Sequence, residues 1–375
     1  MRAFVVDRYG SNDAVRAAEM PVPVVGDDDV LVRIDAAGVN PVDIKTRDGK
    51  MKVVLPHRVP FILGNEVAGV VTQVGGRVRR FKPGDEVYAR LPKDRIGAFA
   101  EYAAIRDDVV AHKPKSLTME EAASIPLVGL TSWQALVERA NVTVGQRVLI
   151  HAGSGGVGTF AIQLAKHLGA TVATTASAAN FDLVRGLGAD VVVDYRTEDF
   201  ETIVRDCDVV FETLGGKTLE KSIRVLRPGG MLIEIAGPPD PAFAKEIGAN
   251  PIVALAMRLL SYRVRSMARR ARVRYTFLFM RPSGEQLREI GSLIDSGIIR
   301  PVVDRVFPFE STKDALAYVE SGRAKGKVVI KGAVMPVESC IPVIPSAASL
   351  ERNPLSNTGP LTLRRFSRPH RERSA

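Results

Sequence analysis

A glycine-rich turn at residues 153–158 has the residue types and spacing that most directly indicate chemistry. It reads Gly153-Ser154-Gly155-Gly156-Val157-Gly158 and lies between an apolar, strand-like run at 147–152 and a helix-like segment. In such a motif Gly153 permits a tight turn, Gly155 lets the backbone approach a pyrophosphate, and Gly158 allows the helix to pack closely on the strand. Free N–H groups at the helix start then face the phosphates. The turn predicts a dinucleotide site, and the alternative is an ordinary glycine turn of an α/β protein.

The residues that follow the next predicted strand bear on which dinucleotide binds. An NAD site usually carries Asp or Glu about 20 residues after the glycine motif, where it holds the ribose 2′-hydroxyl. Here the segment is Thr174-Thr175-Ala176-Ser177-Ala178-Ala179-Asn180, and no acid comes before Asp182. Hydroxyls and the amide can instead bind a 2′-phosphate, with Arg185 as a nearby charge, so we predict NADP(H). The predicted contacts are Thr175, Ser177 and Asn180, and the alternative role of Ser177 is to cap the next helix.

Strands and helices alternate around this turn, and the alternation predicts the framework that positions it. Such a pattern implies a parallel sheet with right-handed crossovers, which is a doubly wound nucleotide-binding fold of the α/β class. The predicted strands are 146–152, 171–175, 190–194, 207–212 and 230–236, and the predicted helices are 157–168, 180–187 and 218–226.

The segments on either side of this region differ in character. The first hundred residues read as short strands between glycine and proline turns, which predicts a β-rich domain. The next segment predicts a helix with Ser116 or Thr118 as its cap. Residues 301–330 return to short strands around one helix at 312–320, and we expect them to rejoin the first domain. Beyond Lys331 a tail rich in proline, serine and arginine has no periodicity, which predicts disorder.

Basic residues are concentrated in two places. Residues 258–274 contain seven arginines and no acid, and residues 364–373 contain five arginines against Glu372, within a chain of net charge +10. Aromatic residues do not interleave with these clusters, so we expect local basic patches and no nucleic-acid partner. The first cluster lies in a stretch, 242–272, that reads as one long basic helix. This helix either lies on a membrane surface or covers a pocket or a subunit interface, and we favour the cover.

The composition excludes several classes of protein. A chain of 375 residues, 46% hydrophobic and 25% charged, is an ordinary globular protein of about two domains. The only cysteines are Cys207 and Cys340, which excludes a disulfide framework and a cysteine-rich zinc site and fits a reducing compartment. The first residues lack the apolar core of a signal peptide, and no uncharged apolar run reaches the roughly 18–20 residues that span a bilayer. We therefore expect a cytoplasmic protein without a membrane span.

Several further segments match the motifs of one family in the expected order. They are 37–43 (AGVNPVD), 81–88 (FKPGDEVY), 120–126 (EEAASIP), 145–158 (GQRVLIHAGSGGVG), 163–166 (QLAK), 187–190 (LGAD) and 326–330 (GKVVI). From residue 1 to about 332 the chain resembles the zinc-free quinone oxidoreductase and enone (alkenal) reductase branch of the medium-chain dehydrogenase/reductase superfamily.

This resemblance implies a domain organisation. A GroES-like, β-rich catalytic domain is split in sequence around a Rossmann NADP-binding domain, and the substrate lies in the cleft between them. The implied boundaries are 1–120 for the first part of the catalytic domain, 121–275 for the Rossmann domain, 276–332 for the return to the catalytic domain and 333–375 for the tail. The implied partners are a small conjugated carbonyl or quinone substrate and a second copy of the chain.

The resemblance also supplies a test for zinc. Zinc alcohol dehydrogenases of the superfamily have a cysteine where Asp43 falls and Gly-His-Glu where this chain has Gly64-Asn65-Glu66. Their third ligand falls near Leu127, whose side chain cannot coordinate a metal. A catalytic zinc needs three protein ligands, and only Asp43 and Glu66 remain. We therefore predict no metal.

Without a Lewis acid to form an alkoxide, alcohol oxidation is disfavoured. Hydride delivery to an enone or quinone needs only hydrogen-bond donors at the carbonyl oxygen, and the candidate donors are Asn40, Lys45 and Thr131. The resemblance places Asn40 beside the nicotinamide and Lys45 in the substrate cleft. The alternatives are that Asn40 only forms the turn before Pro41 and that Lys45 is a solvated surface lysine. No tyrosine acid occurs at 47–52, so the proton comes from solvent or from a donor still to be identified.

The resemblance implies further cofactor contacts. Tyr195 lies near the 2′-phosphate. The residues that border the ribose and nicotinamide are Leu214, Gly215, Ala236 and Gly237. Phe277 and Phe279 belong to a strand whose backbone faces the carboxamide. The alternative for the two phenylalanines is core packing.

Three functions remain open at this point. The first is an NADPH-dependent enone, alkenal or quinone reductase, and the second is a reductase of enoyl thioesters or other activated alkenes. The third, from a different class, is a non-catalytic NADPH-binding protein with RNA affinity.

Overall fold

The computed structural model describes residues 1–52 and 56–332, and the predicted tail at 333–375 lies outside the described residues. In the described chain the strands form a small three-stranded sheet, a seven-stranded sheet and a six-stranded sheet. The first two sheets form the β-rich part, and the third forms the centre of the nucleotide-binding part.

The β-rich part is built on the long strand β3, which pairs antiparallel with three neighbours. Its strands are β1 (Arg2–Val6), β2 (Val15–Glu19), β3 (Asp29–Val39), β4 (Phe61–Ile62), β5 (Glu66–Val74), β6 (Glu86–Arg90), β7 (Tyr102–Arg106) and β8 (Val110–His112). Two strands from the end of the described chain complete the large sheet, namely β15 (Val303–Phe307) and β16 (Lys327–Lys331). The strand β16 pairs with β3 through Val328 and Val39, so distant parts of the chain form one sheet.

The six-stranded sheet is parallel throughout, which confirms the predicted doubly wound fold. Its strands are β9 (Arg147–Ile150), β10 (Thr171–Ala176), β11 (Val191–Asp194), β12 (Cys207–Glu212), β13 (Leu226–Glu234) and β14 (Arg274–Phe277). They lie in the order β11-β10-β9-β12-β13-β14, so the direction of winding reverses between β9 and β12. Ligands of such sheets bind outside the carboxyl ends of the strands at this reversal, where the glycine turn also lies. The pairing of Phe277 with Glu234 carries the sheet past the predicted boundary at 275.

The helices begin at recognisable signals. The predicted cap at Thr118 is confirmed, because its hydroxyl accepts the N–H of Glu121 in a capping box. The helices are α1 (Pro41–Arg47), α2 (Met119–Ala123), α3 (Pro126–Trp133), α4 (Gly156–His167), α5 (Phe181–Gly186), α6 (Phe200–Ile203), α7 (Lys217–Arg224), α8 (Pro241–Glu246), α9 (Pro251–Leu260), α10 (Tyr262–Arg270), α11 (Gly284–Asp295) and α12 (Thr312–Glu320), with a π-helical segment Gln134–Arg139 after α3.

The single long helix expected at 242–272 is wrong, because this stretch forms three helices. Gly248 adopts φ +61°, a left-handed conformation that ends α8. Asn250 then caps α9 by accepting the N–H of Val253, and Pro251 occupies its first turn. Only Ser261 separates α9 from α10, and the N–H of Ser261 still bonds to Met257 O, so the two helices are nearly continuous.

The glycine turn contacts the β-rich part directly. The N–H of Gly326, which precedes β16, donates to Ser154 O at 2.8 Å, and Gly155 and Gly326 form an isolated bridge. Residues of both parts also pack into one hydrophobic core, which includes Tyr88 and Ile150. The glycine turn and the strand that returns from the end of the described chain are therefore held at a fixed separation. Within residues 1–52 and 56–332, no helix has the length and apolarity needed to cross a membrane.

Candidate cofactor and substrate site

The glycine turn connects β9 to α4 at the carboxyl edge of the parallel sheet. The left-handed residue of the turn is Ala152, with φ +52°, so the tight bend assigned to Gly153 lies one residue earlier. Gly153 is instead required for close approach, because an added Cβ would lie 2.1 Å from Thr174 Oγ1. A Cβ on Gly158 would lie 2.3 Å from Ala152 O, which agrees with close packing of the helix start on the strand. Gly155 is the N-cap of α4, and the first N–H groups of a helix have no partner within it.

Thr175 of β10 supports the glycine turn through two hydrogen bonds. Its hydroxyl accepts the N–H of Ala152 at 3.1 Å, and its carbonyl accepts the N–H of Gly153 at 2.9 Å. The Thr175 residue is buried. The prediction placed this hydroxyl on a 2′-phosphate, whereas in the structure it is committed to the backbone of the turn.

Three of the predicted cofactor residues come together beside the turn. The side-chain NH₂ of Asn180 lies 3.1 Å from Ser154 Oγ and 3.2 Å from Ser177 Oγ. Ser177 makes no capping hydrogen bond, so its alternative role as a helix cap is not observed. Asn180 Oδ1 is buried and has no hydrogen-bond partner among the described residues. The N–H of Tyr195 bonds to Ala176 O, which places this exposed tyrosine next to the end of β10.

A buried chain of hydrogen bonds leads from the turn to β12 and α7. His151 Nδ1 lies 3.2 Å from Thr175 Oγ1, and its Nε2 lies 2.9 Å from Ser222 Oγ. The Ser222 hydroxyl can donate to Glu212 Oε2 at 2.8 Å or to Thr218 O at 2.9 Å. His151, Ser222 and Glu212 are all 0% exposed. Burial lowers the pKa of His151, so the ring is neutral and carries one proton. Donation from Ser222 to Glu212 assigns that proton to Nε2, which then donates to Ser222.

Glu212 and Glu234 end neighbouring strands and hold the two loops that follow them. Glu212 Oε1 accepts from the N–H groups of Leu214 at 2.8 Å and Gly215 at 3.2 Å. Glu234 Oε1 accepts from the N–H groups of Ala236 and Gly237, both at 2.6 Å. The carboxylates thus fix the loops that were predicted to border the ribose and nicotinamide.

The two carboxylates differ in their surroundings. Glu212 and Glu234 are paired in register on adjacent parallel strands and are both 0% exposed. Burial and the neighbouring Glu212 raise the pKa of Glu234 to about 8. Glu234 Oε2 has no hydrogen-bond partner in the described part of the chain. Glu234 is therefore mostly protonated at neutral pH.

A second buried cluster lies in the β-rich part, at the positions where the resemblance located the zinc ligands. Lys327 Nζ lies 2.7 Å from Glu66 Oε1 and 2.5 Å from Asn40 Oδ1. The Asn40 side chain donates to the same Glu66 oxygen at 2.7 Å, and Asn65 donates to Asp43 Oδ1 at 2.6 Å. The cluster, which we call the lysine cluster, consists of Asn40, Asp43, Asn65, Glu66 and Lys327.

Opposite charges balance in and around the lysine cluster. Buried Arg90 faces Asp43 and Glu66, and burial lowers the pKa of Arg90 to about 10. Burial also raises the pKa of Asp43 to about 6. Leu127 contributes its N–H to Glu66 Oε2 at 2.7 Å. No group of three or more His, Cys, Asp or Glu side chains that could hold a metal ion occurs within the described ranges.

The three candidate donors to substrate are placed differently from one another. Asn40 is the N-cap of α1, its N–H donates to Asp43, and its amide is bonded within the lysine cluster. Thr131 is 5% exposed, and its hydroxyl donates to Leu127 O at 2.7 Å. Lys45 is an exposed residue of α1, which agrees with the alternative that it is a solvated surface lysine. Neither Asn40 nor Thr131 has a free donor in this arrangement.

The remaining predicted contacts lie at the same edge, at the end of β14 or on the loops after β12, β13 and β14. Leu214 is exposed, and Gly215 adopts φ +73°, a left-handed conformation that favours glycine. Phe277 and Phe279 are half-buried and pack against Phe243, with ring centroids at 5.0 and 5.6 Å. Core packing, the alternative for these phenylalanines, is therefore present.

Sequence reasoning did not identify the hydrogen-bonded side chains behind these loops. His151 was a possible signal, because it is a polar residue in an otherwise apolar strand. The pairs Glu212 with Ser222 and Lys327 with Glu66 carry no comparable local signal.

Comparisons with known proteins agree with this architecture. Residues 26–115 match the family described as alcohol dehydrogenase GroES-like domain, and residues 187–330 match the family described as zinc-binding dehydrogenase. The chain is 36% identical to the mitochondrial NAD(P)H oxidoreductase RTN4IP1 of Danio rerio, over 88% of this chain and 91% of that protein. It is 35% identical to a chloroplastic NADPH-dependent alkenal/one oxidoreductase of Arabidopsis thaliana, over 88% and 79%. The solved quinone oxidoreductase from Coxiella burnetii superposes with a TM-score of 0.79 at 31% identity, covering 89% of this chain and 99% of that one.

Proposed function

The chain belongs to the medium-chain dehydrogenase/reductase superfamily, in the branch of quinone and alkenal/one oxidoreductases, and we propose that it reduces a conjugated carbonyl with NADPH. The acceptor class is an enone, an alkenal or a quinone, and the hydride transfer needs no metal ion. One observation carries this proposal. The glycine turn contacts Gly326, the residue that precedes Lys327. The positive charge of Lys327 balances the negative charge of Glu66 in the lysine cluster, where zinc-dependent members of the superfamily carry their metal ligands.

The cofactor residues fit a dinucleotide with a 2′-phosphate. A Cβ on Gly155 would meet only Ala152 O, at 3.3 Å, so the space in front of the turn is open to a ligand. Ser177 occupies the position where NAD sites carry a carboxylate. Because hydroxyls both donate and accept, the Ser154 and Ser177 hydroxyls can bond to the Asn180 amide and still offer a hydrogen bond to a phosphate. NADPH supplies the hydride when it is bound.

The protein side chains then hold the reacting groups. The N–H groups at the start of α4 bind the diphosphate, and Tyr195 contacts the 2′-phosphate. Glu212 fixes the backbone of Leu214 and Gly215, which borders the ribose and nicotinamide. Glu234 fixes the following loop in the same way. Buried carboxyl groups that accept two N–H groups each leave these loops little freedom, which favours an ordered cofactor pocket.

The proton delivered to the substrate comes from solvent or from a nearby donor, and the three candidate donors differ in whether they already have a partner. Asn40 and Thr131 already donate to Glu66 and Leu127, so either residue has to exchange its partner before it can bond a substrate oxygen. Lys45 is exposed to solvent and has no side-chain partner among residues 1–52 and 56–332, so it needs no such exchange.

The test is a screen of NADPH oxidation with small enones, alkenals, quinones and enoyl thioesters. We expect turnover with at least one of the first three classes and a clear preference for NADPH over NADH. Turnover with enoyl thioesters alone would replace the proposal by reduction of activated thioesters. Tight NADPH binding without consumption of any acceptor would contradict the enzyme assignment. RNA affinity that falls steeply with salt would then favour the binding protein.

Two further properties stay predictions. The homodimer is expected from the resemblance, and light scattering of the purified chain measures it. The compartment is predicted to be cytoplasmic, whereas the relatives named above are mitochondrial and chloroplastic.

A further inference from the structure

The helices α9 and α10 expose an unusual number of large apolar side chains. Ile252, Leu255 and Leu259 are 80%, 56% and 66% exposed, and their spacing places them on one face of α9. Leu260 and Tyr262 continue the exposed surface, at 67% and 61%. Single exposed apolar residues are normal, but a contiguous group marks an interaction site. We call these five residues the apolar face.

The opposite side of α9 is firmly attached to the protein. Met257 is buried and belongs to a small hydrophobic cluster with Phe243 and Ala244, against which Phe277 and Phe279 pack. In α10, Val264 and Ala268 are buried in a hydrophobic cluster with Leu149 and Leu232 of the parallel sheet. The apolar face is thus a fixed outer surface, because the inner side of each helix is already used for packing.

Arginines surround this face without matching acids. The segment 258–274 contains seven arginines and no Asp or Glu. Arg263 pairs with Glu220 at 2.9 Å. Arg258, Arg269 and Arg270 are exposed, and none of them makes an ion pair with any residue in 1–52 or 56–332. The surface therefore combines exposed leucines with uncompensated positive charge.

We propose that α9 and α10 bind the surface of an anionic lipid bilayer. The apolar face enters the boundary between headgroups and acyl chains, and the flanking arginines bind the lipid phosphates. A helix with this combination lies in the plane of the interface, where apolar burial and attraction to anionic lipid add together. Tyr262 suits this depth, because its ring is apolar and its hydroxyl is polar.

The charge distinguishes a bilayer from the other occupants of such a face. A second copy docked symmetrically would bring the two arginine clusters together, and like charges opposed across an interface are unfavourable. A nucleic acid would satisfy the arginines but would leave Ile252, Leu255 and Leu259 against a polar partner. An anionic bilayer satisfies both properties of the surface.

The experiment measures binding of the full chain to vesicles by co-sedimentation. Vesicles of phosphatidylcholine with 30% phosphatidylglycerol, roughly the anionic share that gives a strongly negative surface, are compared with pure phosphatidylcholine. We expect at least about tenfold stronger binding to the anionic vesicles, weakening as salt screens the charges. The double variant Leu255→Gln/Leu259→Gln and the double variant Arg269→Gln/Arg270→Gln should both bind more weakly. The arginine variant should lose about fivefold per charge.

Matched controls distinguish the effect of this surface from a general effect of exposed apolar side chains or of positive charge. Val24 and Val144 are 89% and 84% exposed, so Val24→Gln/Val144→Gln removes exposed apolar side chains elsewhere. Arg288→Gln removes an exposed arginine outside the segment. Both controls should bind like the unmodified protein, and thermal melting verifies that all variants are folded.

Two outcomes would overturn the proposal. The first is no binding to the anionic vesicles, or equal binding by the control and surface variants, which would locate any attraction elsewhere in the chain. The second is a change from dimer to monomer in the Leu255→Gln/Leu259→Gln variant with unaltered vesicle binding, which would make the face a contact between copies. NADPH turnover is measured in solution without vesicles, so failure of the proposed reaction is distinguishable from failure of membrane binding.

Discussion

Replacing Ser222 by alanine tests whether the buried chain of hydrogen bonds positions the cofactor loops. Ser222→Ala removes the hydroxyl that lies between His151 Nε2, at 2.9 Å, and Glu212 Oε2, at 2.8 Å. The direct separation of these two groups is 3.5 Å, too long to replace the lost bonds without movement. The variant therefore leaves a buried donor and a buried carboxylate oxygen without their partner.

The magnitude follows from burial. Leaving a buried polar group unsatisfied costs about 1–3 kcal/mol, so we expect the free energy of unfolding to fall by about that amount. His151 also contacts Thr175, which supports the turn, and Glu212 holds the loop at Leu214, so both sides of the cofactor should loosen. If about 1 kcal/mol of that loss appears in binding, the Kd for NADPH rises roughly fivefold.

A matched serine supplies the control. Ser132 is also 0% exposed on a helix, and its hydroxyl donates to Val128 O, four residues earlier, at 2.8 Å. Ser132→Ala removes the same atom but leaves no charged group without a partner. Thermal melting and NADPH titration by fluorescence are measured for both variants. Equal losses in the two variants, or an unchanged NADPH Kd for Ser222→Ala, would refute the positioning role.

Three further changes follow from the same geometry. The raised pKa of Glu234 means that the folded state binds a proton more tightly than the unfolded state, so stability should fall as pH rises from about 4.5 to about 8. Melting curves of Glu234→Gln should therefore lose much of this pH dependence, and an unchanged slope would contradict the assignment. Gly158→Ala places a Cβ 2.3 Å from Ala152 O and should weaken NADPH binding about fivefold or more, because overpacking costs about 1–3 kcal/mol. The control Gly186→Ala has only Arg300 Nη2 near its Cβ, at 3.9 Å, and should bind normally. Ser177→Asp should lower NADPH affinity far more than NADH affinity, and equal changes would reject Ser177 as a phosphate contact.

Several features could be predicted because their cause is local in sequence. The order of strands and helices, the glycine turn between β9 and α4 and the cap at Thr118 depend on neighbouring residues, and the structure has all three. The prediction of a single helix over 242–272 was wrong for a related reason. Its apolar periodicity outweighed Gly248 and Pro251, which end one helix and begin the next.

The chemistry of the site depends on contacts between distant residues. Lys327 and Asn40 are 287 positions apart, and His151 and Ser222 are 71 positions apart, so no local sequence pattern predicts either pair. Even within the glycine turn, the left-handed bend lies at Ala152, where the hydroxyl of Thr175 from the neighbouring strand holds the backbone.

By itself, the sequence determined the superfamily, the doubly wound sheet and the position of the glycine turn, because periodicity and short motifs encode them. Only the tertiary structure decided that Asn40 and Thr131 already have partners, that Glu212 and Glu234 hold the loops that follow their strands, and that α9 exposes an apolar face. The physical reason is that a buried polar group must find its partner in space, and the fold selects that partner irrespective of distance along the chain.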